Sequence, residues 1–218
     1  MSRFNIFAAI SAVVFSALMA VAPLSAEAKE APLLTDKAPV VKPIMDEDGL
    51  YHQSWSTESF LDLKEDFETA KSEGKRLVVV FEQRGCIYCK RFHEKVLAIK
   101  QVNDYVRQNY LMVQINLWGD KEVTDFDGKV MSEKALARRW GVINTPTALF
   151  FTDDLAGKEG KIGKDLTVVP AFYPGAFGPN TSYDMFAWVV EKGYEGDEPF
   201  QKYHARRLLK LRDAGLLN

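Results

Sequence analysis

"RLVVVFEQRGCIYC", residues 76–89, reads as a buried strand running straight into a cysteine pair. Its first seven residues, Arg76 to Glu82, hold an unbroken apolar run rich in valine. Such a run suits a strand covered on both faces. From Cys89 onward Phe92, His93, Val96 and Leu97 share one helical stripe, so the cysteines lie where strand passes into helix. They are the only two cysteines in 218 residues, and all thiol chemistry is confined to this point.

Working outward, strand and helix signals alternate. A helix presents Phe60, Leu63, Phe67 and Ala70, with Thr57 as its cap and Gly74 as its stop. "VNDYVRQNY" leads into a second central strand, "LMVQINL" (111–117), and residues 118–131 form a polar, turn-rich insertion. Ser132 caps a helix carrying Leu136 and Trp140 and stopped by Gly141; "TPTALFF" (145–151) is a third strand. The glycines of "DDLAGKEGK" suggest a hairpin leading to a fourth strand over Leu166–Tyr173. Thr181 with Asp184 resembles a capping box for a helix that ends at Gly193. The expected class is therefore α/β, a central mixed sheet flanked by helices, with a C-terminal helical extension.

The chain ends divide from this domain by composition. Arg3, the apolar stretch Phe4–Ala22 and the small-residue close Ala26-Glu27-Ala28 read as a signal peptide (1–28), with an uncleaved anchor as the competing reading. Residues 29–54, with Pro32, Pro39 and Pro43, read as an extended, mobile leader. The domain then spans 55–196, and 197–218 is an amphipathic helical tail with basic residues Arg206, Arg207, Lys210 and Arg212. Its two readings are a surface helix packed by Phe200, Tyr203 and Leu208, or a membrane or partner contact. A formal net charge of −2, with no basic cluster, argues against nucleic acid as a partner.

Three roles compete for Cys86 and Cys89. A structural bridge between residues three apart closes almost no loop and gains roughly 2 kcal/mol on the chain-entropy estimate, which is poor use of a staple. A zinc site would need two of His52, His93 and His204 as further ligands, and no two of these show a paired spacing. Thiolates also hold Cu(I), but no histidine lies between residues 94 and 203, so copper transfer is disfavoured as well. The remaining role is redox. Cys86 at a helix start meets unpaired N–H groups that favour a thiolate, helped by Arg84, Lys90 and Arg91; Cys89, one turn later, is more buried. Cys86 then attacks a disulfide and Cys89 resolves the mixed disulfide, with no cofactor beyond the redox-active Cys86–Cys89 pair itself.

A C-x-x-C between strand and helix, with Thr145-Pro146 opening a later strand, resembles the thioredoxin fold. More narrowly, "FEQRGCIYC", "QINLWGDKEVTDFDG", "SEKALARRWGVINTPT" and "FQKY" resemble the periplasmic thioredoxin-like proteins of bacterial sulfur-oxidation clusters (the SoxW type), over about residues 55–203. The resemblance implies an exported thiol-disulfide oxidoreductase, reducing protein disulfides with electrons from a membrane thiol transporter. Its clients would be protein thiols, including that of a periplasmic sulfur-carrier protein. It implies that Pro146 is the cis-proline of the fold, turning the Thr145 backbone toward Cys86, where an extended substrate can pair with it. Ile87 and Tyr88 stand where many relatives carry a proline, so the direction of net electron flow stays open between reductase and oxidase or isomerase. Val80 occupies the place of a buried aspartate that serves the second cysteine in cytoplasmic relatives. Glu82, on the same strand face, either takes over that proton or is an exposed strand-end carboxylate. His93 is either a core histidine bonded to backbone or a residue that tunes Cys89, and "TDFDG" (124–128) is a turn.

Overall fold

The computed structural model describes residues 30–56 and 59–217. The signal-peptide reading and the Thr57 cap fall outside these residues. The sheet is organised around β3 (Arg76–Glu82), every residue of which is buried. It pairs in parallel with β4 (Tyr110–Asn116) from Arg76↔Tyr110 to Glu82↔Asn116, and antiparallel with β7 (Thr147–Phe150) from Phe81↔Thr147 to Val78↔Phe150. The order β4-β3-β7 is thus a mixed sheet with the apolar run at its centre.

Period-two alternation sends the side chains of β3 into two cores. Val78 and Val80 pack with Phe92, Val96, Val102 and Phe186 on one face; Leu77, Val79 and Phe81 pack with Leu63, Phe67, Leu136 and Trp140 on the other. The first layer is α2 (Ile87–Arg91), the π-helical turn Phe92–Val96 that prolongs it, α3 (Lys100–Asn109) and α5 (Pro179–Val190). The second is α1 (Leu63–Ser72) and α4 (Glu133–Trp140). A thioredoxin-like fold, a mixed sheet between helices, is what the sequence led us to expect.

Four local expectations need correction. α1 starts at Leu63 because Asp62 takes the cap, its Oδ1 accepting from the N–H groups of Lys64 and Glu65; Phe60 lies outside the helix and is exposed. Ser132 stands at the N-cap of α4 without a side-chain bond, and the first-turn donors of Glu133 and Lys134 reach the carbonyls of Lys121 and Gly119 instead. Thr181 and Asp184 are no capping box, since Pro179 sets the start of α5 and places both inside the helix. The fourth strand, Leu166–Tyr173, is reduced to two antiparallel bridges, Phe151↔Thr167 and Ala148↔Phe172. Five steps along this segment face three along β7, so two residues bulge out around Pro170, which has no N–H for the ladder.

The insertion is a hairpin of β5 (Glu122–Thr124) and β6 (Val130–Ser132), turned at Gly128 with φ +80°. Asp125 of "TDFDG" is fully buried beneath it, accepting from Arg139 Nη1 (2.7 Å), Trp140 Nε1 (3.1 Å) and the Gly163 amide (2.9 Å). The turn is therefore tied to α4.

Both flanking segments pack on the domain. Residues 30–43 contain no helix or named strand and lie against the domain: Leu34 is buried and the Val40 and Val41 amides reach the Ala98 carbonyl at 2.8 Å. Beyond them β1 (Ile44–Met45) and β2 (Tyr51–His52) form a small hairpin. α6 (Phe200–Asp213) folds back on α5, burying Tyr203, Arg207 and Leu211. Its basic residues are largely engaged, Arg206 and Lys210 with Glu30 and Arg207 with Asp184, which fits the packed-helix reading.

Candidate active site

β3 ends at Glu82, the chain turns through Gly85 (φ +73°), and Cys86 becomes the N-cap of α2. Cys86 and Cys89 form a disulfide. Cys86 (9 % exposed) lines a surface cleft, whereas Cys89 (1 % exposed) does not, so the two bonded residues are unequally placed for an approaching molecule. The Cys86 Sγ accepts from the Cys89 amide at 3.0 Å, the capping bond a serine oxygen would make there. A thiolate at this position would keep that donor, which is the expected effect of the helix start. The supporting cations are fewer than expected. Arg84 spends its guanidinium on the carbonyls of Glu47 and Asp48, and Lys90 lies 3.9 Å from Glu94.

Opposite Cys86 stands Thr145, whose Oγ1 donates to the Cys86 Sγ at 3.3 Å and whose carbonyl oxygen lies 3.5 Å from it. The Thr145–Pro146 peptide bond is cis. Among the described residues, Thr145 makes no backbone–backbone hydrogen bond, leaving both groups for an incoming strand. The cleft between the two segments, about 540 Å³, is lined by Gln83, Cys86, Ile87, Tyr88, Ile143 and Tyr173 among others. Its rim is apolar and open: Ile87 is 72 % exposed and Ile143 81 %. Trp118, also exposed, is held near it by donating Nε1 to Gln83 Oε1 at 2.6 Å. Gln83, Trp118, Ile143 and Tyr173 were not singled out by the sequence, where the first three read as loop and Tyr173 as the end of the expected fourth strand.

Gly175 packs against residues of both cleft walls. A Cβ there would fall 1.8 Å from the Tyr88 carbonyl oxygen and 3.2 Å from Pro146 Cγ, between the two walls. The first clash is with backbone and cannot be relieved by a rotamer. Gly175→Ala should cost about 1–3 kcal/mol, as overpacking does. It should also displace the dithiol–disulfide equilibrium with glutathione, because the turn holding Cys86 and Cys89 must move. Thermal unfolding and that equilibrium measure the two effects.

Beneath the cysteine helix lies a buried polar chain. Glu82 is not an exposed strand end; it is fully buried on the β3 face that carries Val80. Its Oε1 lies 2.9 Å from His93 Nε2, and its Oε2 has no hydrogen-bond partner. His93, one turn beyond Cys89, is bonded to side chains rather than to backbone. Its Nδ1 is 3.0 Å from Gln53 Nε2, and Gln53 Oε1 accepts from Asn103 Nδ2 at 2.9 Å. Trp55 Nε1 closes the chain on Asn103 Oδ1 at 2.9 Å. Gln53, Trp55 and Asn103 are functional candidates that the sequence did not flag. Two of them precede the domain's first helix, and nothing local connects them to the cysteines.

Each histidine is engaged with a different carboxylate. His52 lies 3.1 Å from Asp46, His93 2.9 Å from Glu82 and His204 2.7 Å from Asp184. Among the described residues no three His, Cys, Asp or Glu side chains converge as a metal-binding group. No described helix is long and apolar enough to cross a membrane.

Residues 63–161 match the thioredoxin-like domain family. Among solved structures, a thioredoxin-fold protein from Helicobacter pylori is 18 % identical, with a TM-score of 0.46 over 65 % of this chain and 85 % of that one. A thioredoxin from Thermus thermophilus is 20 % identical, with a TM-score of 0.45 over 61 % and 86 %. A disulphide isomerase from Xylella fastidiosa is 16 % identical, with a TM-score of 0.41 over 59 % and 88 %. No curated protein matches the chain.

Proposed function

We propose that this chain, whose residues 63–161 match the thioredoxin-like domain family and whose Cys86 and Cys89 form a disulfide, is a thiol-disulfide oxidoreductase, exported and acting as a reductase of protein disulfides. The observation that carries this reading is a bonded cysteine pair of which only Cys86 lines the cleft, beside a Thr145 backbone that makes no backbone–backbone hydrogen bond among the described residues. In the reduced protein the Cys86 thiolate attacks a client disulfide held against Thr145. A bond forms from Cys86 to one client sulfur, and the other client sulfur leaves as thiolate. Cys89 then gives up its proton and attacks the Cys86 sulfur, releasing the second client thiolate. The client gains two electrons, and the protein is left with the Cys86–Cys89 disulfide, which an external dithiol donor reduces again.

The proton of Cys89 needs a base, and Glu82, buried at the end of the strand that leads into the cysteine turn and with one unpartnered oxygen, is the candidate for it. Glu82→Gln keeps the acceptor for His93 Nε2 and removes the base. Resolution of a preformed mixed disulfide should slow by about 10²-fold or more at neutral pH, the usual worth of a positioned base. It should recover as rising pH ionises Cys89 without help; stopped-flow resolution rates measure this.

The apolar rim of Ile87, Tyr88, Ile143 and Trp118 supports protein clients rather than small charged thiols. Export rests on Phe4–Ala22 and the Ala26-Glu27-Ala28 close, and it places the domain in the periplasm, with a membrane thiol transporter as electron donor. The "LWGDKEVTDFDG" insertion supports the sulfur-oxidation subtype, with a sulfur-carrier protein among the clients. The test is Cys89→Ser. This variant should accumulate covalent adducts with disulfide-bonded clients in its own compartment, and no adduct would defeat the proposal. Equilibration of the wild type with glutathione gives the direction. Potentials in this fold run from roughly −270 to −120 mV, and a value near the upper end makes the protein an oxidase or isomerase instead.

A further inference from the structure

We infer that Gln53, outside the matched domain, is a positioning residue for the proton step: with Asn103 and Trp55 it fixes the His93 tautomer that keeps Glu82 free to accept a proton. The inference rests on the reading of Glu82 as the base for Cys89.

The chain of bonds has one consistent assignment, and it starts from an atom with no choice. An indole N–H only donates, so the Asn103 atom 2.9 Å from Trp55 Nε1 is the oxygen. The Asn103 nitrogen then meets two acceptors, the Leu97 carbonyl at 2.8 Å and Gln53 Oε1 at 2.9 Å. With its oxygen so placed, Gln53 offers its NH₂ to His93 Nδ1 at 3.0 Å. Nδ1 must carry the lone pair. The ring proton is therefore on Nε2, where it donates to Glu82 Oε1 at 2.9 Å.

The alternatives conflict with this frame. With the proton on Nδ1, two N–H donors would face each other at Gln53, and the Nε2 lone pair would face Glu82. That second contact is acceptable only if Glu82 already holds a proton, and Glu82 could then take none from Cys89. A doubly protonated ring meets the same donor clash at Gln53. Glu82, His93, Gln53 and Asn103 are all buried, so water cannot stand in for a misdirected bond. Tyr51 stacks on the His93 ring at 6.0 Å and Phe92 meets it edge-on at 5.3 Å, leaving the two nitrogens to read polar partners. The residue that follows β2 thus reaches the His93 ring and fixes which of its nitrogens faces Glu82.

The experiment begins with the full chain labelled with ¹⁵N-histidine, with His93 assigned by comparison with His52→Gln and His204→Gln variants. At neutral pH the ring should show an unprotonated Nδ1 and a protonated Nε2. A protonated Nδ1, or an averaged pair of tautomers, overturns the inference and needs no variant to do so. Gln53→Glu places an acceptor before Nδ1 and should protonate it. Resolution of the mixed disulfide should then slow by about tenfold at neutral pH, a tenth or less of the usual worth of the base itself. Attack by Cys86 on a client disulfide should keep its rate. A protonated Nδ1 in this variant with an unchanged resolution rate would also overturn the role. If Glu82→Gln resolves at the wild-type rate, it is the assignment of the base that fails, a result separate from the tautomer spectrum.

Discussion

Cys86→Ser protein should show no turnover in insulin-disulfide reduction with a chemical dithiol as donor, while Cys89→Ser should complete one covalent step and stop. The two sulfurs are three residues apart, yet the fold makes them unequal. Cys86 caps α2 and lines the cleft; Cys89 is inside the helix and 1 % exposed. A serine at position 86 could still cap the helix through its oxygen and accept from the Cys89 amide, so the fold should persist. What disappears is the one nucleophile within reach of a client beside Thr145. Turnover falls to the background of the donor alone, not to an intermediate rate, because the buried Cys89 cannot reach a client disulfide. Retained activity in Cys86→Ser would mean that the chemistry lies elsewhere. Equal trapping by both single variants would mean that burial does not set the order of attack.

What could be read from residues alone divides by the range of the interactions involved. β3, the cysteine turn and the helix ending at Gly141 are specified by patterns within a dozen residues, and the structure has them where the apolar run, the C-x-x-C and the glycine at φ +71° require. The cleft walls were legible in Thr145-Pro146. Other features depended on partners far along the chain. Glu82 looks the same in sequence whether solvent or His93 covers it, and only the packing of the π-helical turn Phe92–Val96 over β3 decides. Gln53 acquires its role from Asn103, 50 residues away. The Leu166–Tyr173 strand failed for a local reason that was visible, Pro170, but its two-residue bulge depends on the fixed spacing of the bridges to β7. Thr181 and Asp184 match a cap by spacing, yet both are committed to α6: Thr181 Oγ1 lies 3.1 Å from His204 Nε2 and Asp184 accepts from Arg207.

That last commitment carries the largest expected effect on stability. Arg207 is 1 % exposed, with its Nε donating to Asp184 Oδ1 at 2.6 Å. Its other nitrogens donate to the carbonyls of Ala31 (2.7 Å) and Pro32 (2.8 Å), and its guanidinium lies 5.3 Å from the Tyr203 ring centroid and 5.8 Å from that of Tyr183. One side chain thus joins α5, α6 and the extended segment that precedes β1. Burial favours the neutral form of Arg207, but the Asp184 carboxylate outweighs it and raises the pKa above the ordinary value. Arg207→Leu leaves Asp184 buried with only His204 beside it and orphans two carbonyls. Breaking a buried pair from one side costs about 3–5 kcal/mol. At roughly 2–4 °C per kcal/mol for a domain of this size, the melting temperature should fall by roughly 6–20 °C. Lys210→Met removes a half-exposed partner of Glu30 and should cost less than about 1 kcal/mol. The double variant Arg207→Leu/Asp184→Leu should recover much of the loss, because the cost lies in the stranded charge rather than in the missing bond. Limited proteolysis should distinguish the origin of the loss: cleavage between residues 31 and 43 should accelerate in Arg207→Leu and not in Lys210→Met. If the two single variants melt together, the guanidinium does not hold the N-terminal segment to the domain, and the apolar contacts of Ala31 and Leu34 do so alone.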